Sequence, residues 1–263
     1  MSSFWSRILV VAVGLPVVLG AVWLGGWWLW AFAAVAGMIA LHELYGLTRP
    51  LRPLALAGYT GLLLALLGTQ LGGPVWMIGG FLATLPLAFL LKGVSDTRQS
   101  LTVAVATTML GVAWIGLGLA YVLLLRAIPD HGRLALLTVL LAVFGADTLA
   151  YVTGRLIGRH KLAPVLSPGK TWEGLAGSTL AAVLIPFFAL YHQHFLSPGE
   201  SLVLGAVIAV AAPVGDLFES AVKRDFGAKD SGNLLLGHGG VLDRLDAPLF
   251  AAVAAYYAIL AMT

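Results

Sequence analysis

The sequence predicts an all-α, polytopic integral membrane protein with about nine transmembrane helices, and three observations lead there. Hydrophobic side chains make up 60% of the 263 residues and charged ones 10%, whereas a soluble domain carries about 25% charge. Apolar runs of 16–25 residues recur from end to end, each long enough to cross roughly 30 Å of hydrocarbon as a helix. The 15 basic and 12 acidic residues are bunched: 16 of these 27 lie in two stretches, 147–173 and 216–246. This composition excludes an ordinary soluble domain. The absence of cysteine excludes a disulfide framework and a thiolate metal site. A net charge of +3 suits anionic head groups or a phosphorylated ligand, although basic cytoplasmic loops give most membrane proteins a similar balance.

Breaks at glycine, proline and charge set the elements. The first span, 8–24, follows Arg7 and resembles a signal-peptide core. It lacks a small-x-small cleavage site and a second span follows at once, so it reads as a retained helix. Span two, 27–47, runs from Gly25-Gly26 to the turn Arg49-Pro50-Leu51-Arg52-Pro53. Spans three and four, 54–71 and 74–91, are divided by Gly72-Gly73-Pro74, and span five, 101–125, follows the charged hinge 92–98. The hinge 126–133 separates an N-terminal scaffold of about five spans, 1–133, from a C-terminal catalytic region, 134–263. That region holds spans 134–153, 174–195, 201–222 and 247–262. With the N-terminus in the cytoplasm, thirteen of the 15 Lys and Arg fall on inside segments, and only Arg126 and Arg133 fall outside. This positive-inside bias puts both charged clusters on the cytoplasmic face. Trp5, Trp23, Trp27, Trp28 and Trp30 read as interfacial anchors. His42 and Glu43 are the main polar exceptions in the scaffold. Glu43, near a cytoplasmic end, reads as a solvated or snorkelling carboxylate ahead of the alternative, a site role. No internal repeat of the kind that marks many secondary transporters is visible.

Chemistry is expected where the charges gather, because ionised groups near a bilayer are paired, bound to ions or functional. Asp216, Glu219, Ser220 and Lys223 are spaced i, i+3, i+4, i+7 and form one stripe of span eight, which must face protein or a wet cavity. Glu219 and Lys223 could simply close the helix end as a salt bridge. Asp216 lies deeper, has no cation four residues on, and reads as a metal or ligand residue. Downstream, Gly237, Gly239 and Gly240 surround His238 and can bring backbone amides close to an anion, although His238 could equally be a turn residue. Asp243 and Asp246, three apart at the start of span nine, offer hard oxygens suited to Mg²⁺ together with phosphate. Helix capping would account for one such acid but not for both beside Asp216.

The third piece is Ser167-Pro168-Gly169-Lys170-Thr171-Trp172-Glu173-Gly174. A P-loop is rejected, because its first glycine should stand where Pro164 does and because the flanks read as membrane helices. What remains is a turn bearing Ser167, Lys170 and Thr171, suited to phosphate. Upstream, Asp147, Tyr151 and Gly154 share one face of span six, and an acid inside a span seldom serves structure alone. Carboxylates for a divalent cation, lysine and arginine for phosphate, and glycine turns together fit phosphoryl or nucleotidyl transfer. They fit a proton relay less well.

At this point a family resemblance enters. The run Ser220, Lys223, Arg224, Lys229, Asp230, Gly232, Leu235, Leu236, His238, Gly239, Gly240, Asp243, Arg244, Asp246 closely resembles the signature of phosphatidate cytidylyltransferases (CDP-diacylglycerol synthases). The segments at 167–174 and Asp147-Thr148 to Tyr151 look like the family's other characteristic stretches, so the likeness covers roughly residues 145–250. Leu236 departs from the family, which usually has a small or turn-forming residue there. The resemblance implies that CTP and phosphatidic acid give CDP-diacylglycerol and pyrophosphate in a bacterial cytoplasmic membrane. It implies Asp216 and Asp243 as ligands of Mg²⁺, with K⁺ as a candidate neighbour, and Asp246 as a further ligand or its support. Lys170, Lys223 and Arg224 would bind triphosphate or lipid phosphate, with Ser167, Thr171, Gly239 and Gly240 beside them. Asp147, Glu219, Asp230 and His238 would complete the site, and a homodimer is expected. The nearest rivals are a CTP-dependent polyprenol or phytol kinase and, from another class, an ion-coupled transporter using Asp147 and Asp216.

Overall fold

The computed structural model describes residues 3–94, 100–232, 234 and 239–263, without the side chains of 3–11 and 94. The hinge residues 95–98, Leu235 to His238, and the side chains of Trp5 and Arg7 thus lie outside the described residues. The chain folds as helices: α1 (Ser3–Leu24), α2 (Gly26–Leu47), α3 (Ala55–Val94), α4 (Leu101–Gly111), α5 (Leu117–Arg126), α6 (Gly132–Ile157), α7 (Trp172–Leu190), α8 (Pro198–Asp225) and α9 (Leu242–Met262). A π-helical turn, Val112–Gly116, joins α4 to α5, and the pair runs as one apolar helix over Leu101–Arg126. Among the described residues seven helices are long and apolar enough to cross a membrane. Each of the nine expected spans falls chiefly on helix.

Two compact units emerge, residues 1–127 with 226–245, and residues 128–225 with 246–263. In the first, α3 is two helices folded back on each other. Gly72 and Gly73 leave helical geometry, Gly73 at φ 65°, and Pro74 then opens the second arm, where its missing N–H is no loss. The arms meet through glycine: side chains at Gly61, Gly68 and Gly80 would strike Thr84, the Trp76 carbonyl and the Leu64 carbonyl of the opposite arm. α2 and α5 pack on this hairpin. The Tyr45 hydroxyl donates to the Thr108 carbonyl (2.8 Å), and the Leu54 amide donates to Thr108 Oγ1 (2.8 Å), so the starts and ends of three helices are tied at one place. Arg126 Nε donates to the Val22 carbonyl (2.8 Å) at the end of α1. Trp23, Trp27 and Trp28 are exposed beside that end, as interfacial anchors would be.

In the second unit α7 packs between α6 and α8. An antiparallel hairpin, β1 (Lys161–Ala163) and β2 (Ser167–Thr171), leads directly into α7. This corrects one expectation: the Gly-Lys-Thr stretch lies within strand β2 of a hairpin and runs into α7, rather than between two membrane helices. Pro164 still denies it the P-loop pattern, and the Thr171 hydroxyl caps α7 by accepting from the Gly174 amide (3.1 Å). Glu173 accepts from the Arg159 and His160 amides and contacts His160 Nδ1 (2.6 Å), fixing the approach to β1.

The α3 hairpin generates a test. Alanine at Gly80 should lower stability by about 1–3 kcal/mol, because its methyl group meets backbone of the facing arm. Alanine at Gly79, which faces open space, should not. Thermal melting of the two purified variants in detergent separates these outcomes.

Candidate active site

The second unit gathers six of the expected residues. Lys170, on β2 and held by the hairpin, reaches α8 and places Nζ 2.6 Å from Asp216 Oδ2. One turn on, Lys223 Nζ lies 2.8 Å from Glu219 Oε2, and both side chains are largely buried, at 12% and 2% exposure. Arg224 Nε donates to the Leu166 carbonyl (3.2 Å) in the hairpin's turn, which ties the end of α8 to the lysine-bearing loop. The buried Asp246 lies close enough to Glu219, Asp216 and Lys223 for each to act on it electrostatically. Gly215 makes this approach possible: a side chain there would strike the Asp246 carbonyl and Phe250 of α9. Phe218 and Phe250, 5.5 Å apart, fill the apolar side of the same contact.

The predicted stripe of α8 therefore exists, and the cation for Asp216 comes from Lys170 rather than from its own helix. The Glu219–Lys223 salt bridge is also present, as the plainer reading allowed. With all three ionised, Asp216, Glu219 and Asp246 carry more negative charge than Lys170 and Lys223 offset, a balance that suits a cation. Among the described residues no three carboxylate or imidazole groups converge on one point. Such a cation would use one or two carboxylates and take its other ligands from phosphate and water, the habit of Mg²⁺.

Asp147 and Tyr151 are exposed on α6, with the Tyr151 hydroxyl accepting from Arg155 (2.6 Å). Ser167 is half-buried on β2, whereas Thr171 is buried with its hydroxyl engaged as a cap.

The downstream half of the signature belongs to the first unit. Asp243 Oδ2 accepts from the Ser231 amide (3.0 Å) and the Gly240 amide (2.7 Å), closing the glycine turn onto the start of α9. Gly239 has φ 79°, and a side chain there would also meet the Asp243 carboxylate. Asp243 thus sits in the first unit and Asp216 in the second. Asp230 is exposed, and His238 lies outside the described residues.

Glu43 is the residue that sequence reading misjudged. It is 9% exposed, not solvated. Its Oε1 accepts from the Val241 amide (3.0 Å), and its Oε2 accepts from the Leu242 amide (2.9 Å) and Ser231 Oγ (3.3 Å). The signal was present: Glu43 is the sole carboxylate in the first five spans.

Comparison with known proteins agrees with this chemistry. The chain matches the profile of the cytidylyltransferase family over residues 5–262, and it belongs to that family. Proteins named phosphatidate cytidylyltransferase resemble it along nearly their whole length. That of Staphylococcus haemolyticus is 34% identical over 250 residues, covering 93% of this chain and 94% of the relative. Those of Staphylococcus saprophyticus and Staphylococcus aureus are also 34% identical, covering 93% of both chains.

Lys223→Met would strand the Glu219 carboxylate without this ammonium group, and breaking a buried pair from one side costs about 3–5 kcal/mol. The variant should melt well below wild type in detergent. Adding Glu219→Gln should recover most of the difference, and a single variant as stable as wild type would show the pair to be structurally idle.

Proposed function

We propose that this chain transfers the cytidylyl group of CTP to phosphatidic acid, giving CDP-diacylglycerol and pyrophosphate for phospholipid biosynthesis. The observation that carries the reading is the Lys170–Asp216 contact beside the Glu219–Lys223–Asp246 cluster, in a chain of the cytidylyltransferase family. A phosphatidate oxygen attacks the α-phosphorus of CTP. The new P–O bond forms as the bond to the β-phosphate oxygen breaks, and pyrophosphate leaves. The nucleophile is already anionic near neutral pH, so no general base is needed.

Lys170, Lys223 and Arg224 supply cationic donors for the triphosphate and the lipid phosphate, as point charges and as a fork respectively. Lys170 does so by exchanging Asp216 for a phosphate oxygen. Gly239 and Gly240 bring backbone close to the nucleotide, and Asp147, Asp230 and His238 complete the set by resemblance. By resemblance, Asp216 and Asp243 would hold Mg²⁺, with Asp246 as a further ligand or its support and K⁺ as a candidate neighbour. When bound, the metal would offset negative charge on the triphosphate.

The chain is read as crossing the membrane nine times from a cytoplasmic N-terminus, with the site facing the cytosol. The lipid then arrives from the inner leaflet and CTP from solution. The positive-inside count supports this orientation, and the family resemblance supports a homodimer.

Purified protein incubated with phosphatidate and CTP labelled on the α-phosphorus should move label into the lipid phase and release pyrophosphate. Label entering lipid from the γ-phosphorus with release of CDP would instead mark a lipid kinase. Uptake into proteoliposomes with no CTP turnover would mark a transporter. Asp216→Asn should abolish turnover without rescue by added Mg²⁺, and near-normal activity in that variant would remove Asp216 from the site.

A further inference from the structure

We propose that Glu43 is a positioning residue: from the middle of the N-terminal scaffold it sets the conformation of the glycine loop that precedes α9. The proposal rests on the reading of that loop as part of the cytidylyltransferase site.

Glu43 lies on α2 between Leu41 and Leu44, both fully buried, so its carbon frame is fixed by packing. Its carboxylate receives two consecutive backbone amides, Val241 and Leu242, and the Ser231 hydroxyl. Asp243 takes the adjoining Gly240 amide and the Ser231 amide. Three successive N–H groups at the start of α9 are therefore each held by a carboxylate, and Ser231 is held twice, by hydroxyl and by amide. Amides at a helix start have no partner within the helix and carry the positive end of its dipole, which suits a buried carboxylate with no cation among these donors. The loop is shaped around this side chain. A β-carbon at Gly232 or at Gly240 would collide with the Glu43 carboxylate, so glycine at both positions leaves the space it fills.

Ordinary helix capping does not account for the arrangement. Capping needs only a residue adjacent to the helix start, as Glu200 shows in pairing with Ser197 at the start of α8. Glu43 is nearly two hundred residues away in sequence. The loop it holds, between α8 and α9, carries Asp230, Gly239 and Gly240, and apart from an isolated bridge at Gly239 its described residues form no strand or helix. With little regular structure of its own, its geometry depends on such outside contacts.

The test compares Glu43→Gln, Ser231→Ala and Glu200→Gln with wild type, all as full-length protein in detergent. Hydrogen–deuterium exchange is read on peptides spanning 239–245, and steady-state kinetics on CTP and phosphatidate. Glu43→Gln should speed exchange at 239–245, and kcat/KM for CTP should fall roughly 10- to 100-fold, the loss expected for bonds to a charged acceptor. Exchange in α6 and α7 and the KM for phosphatidate should stay as in wild type. Ser231→Ala, which deletes only the hydroxyl bond, should shift both readouts in the same direction by less. Glu200→Gln should shift neither. Unchanged exchange at 239–245 in Glu43→Gln overturns the proposal. So does faster exchange with intact CTP kinetics, and so does an equal loss for both substrates with loosening throughout the chain. Wild-type protein that turns over no CTP would overturn the functional reading instead, while the exchange measurement still decides whether Glu43 holds the loop.

Discussion

An ionised side chain among apolar helices must find a partner, and this constraint organises the polar architecture of the protein. Leaving a buried charge unpaired costs several kcal/mol, as much as a large fraction of a domain's stability. The solutions differ in kind. Glu219 meets Lys223 one turn along the same helix. Asp216 meets Lys170, delivered by a hairpin from another part of the unit. Glu43 is held by two amides and a hydroxyl. The last two solutions also hold in place a hairpin and a loop, respectively.

The same pairings bear on chemistry. In the proposed reading, Asp216 and Glu219 hold Lys170 and Lys223 until phosphate oxygens take their place. The Asp246–Glu219 contact works in the complementary direction, since it concentrates acidic oxygens that a cation can bridge. Gly215 is the packing feature that permits this, because only a residue without a side chain lets α8 come so near to Asp246 and Phe250.

Much of this was legible in the sequence, for identifiable reasons. Long apolar runs announce membrane helices whatever their tertiary contacts, and Gly72-Gly73-Pro74 announces a reversal because few other sequences leave a helix and restart it at once. The polar stripe of α8 follows from periodicity. The β-hairpin did not show, since its second strand reads Ser-Pro-Gly-Lys-Thr, with no alternation and Thr171 as its single β-branched residue. Its ladder is held by Lys161 and Thr171 and by the Glu173 contacts at its base, all of which are tertiary. Lys170 as the partner of Asp216 was invisible for the same reason. Glu43 was misjudged because its position near a helix end suggested solvent, whereas its isolation in apolar sequence pointed the other way.

The length of the family signature has a physical explanation in these contacts. A short catalytic motif suffices where one element carries all the chemistry. Here the stretch from Glu219 to Asp246 has to satisfy two separate sets of anchors. Its first part, through Asp225, is fixed within the second compact unit by Lys223 on Glu219 and Arg224 on the Leu166 carbonyl. Its middle part, Phe226–Leu245, is fixed within the first by Asp243 on the glycine turn and Glu43 on the helix start. Glycines at 215, 232, 239 and 240 each make room for a carboxylate or for the backbone that bears one. Substituting such a glycine therefore displaces a charged group, so the spacing of the whole run is constrained even where a given residue touches no substrate.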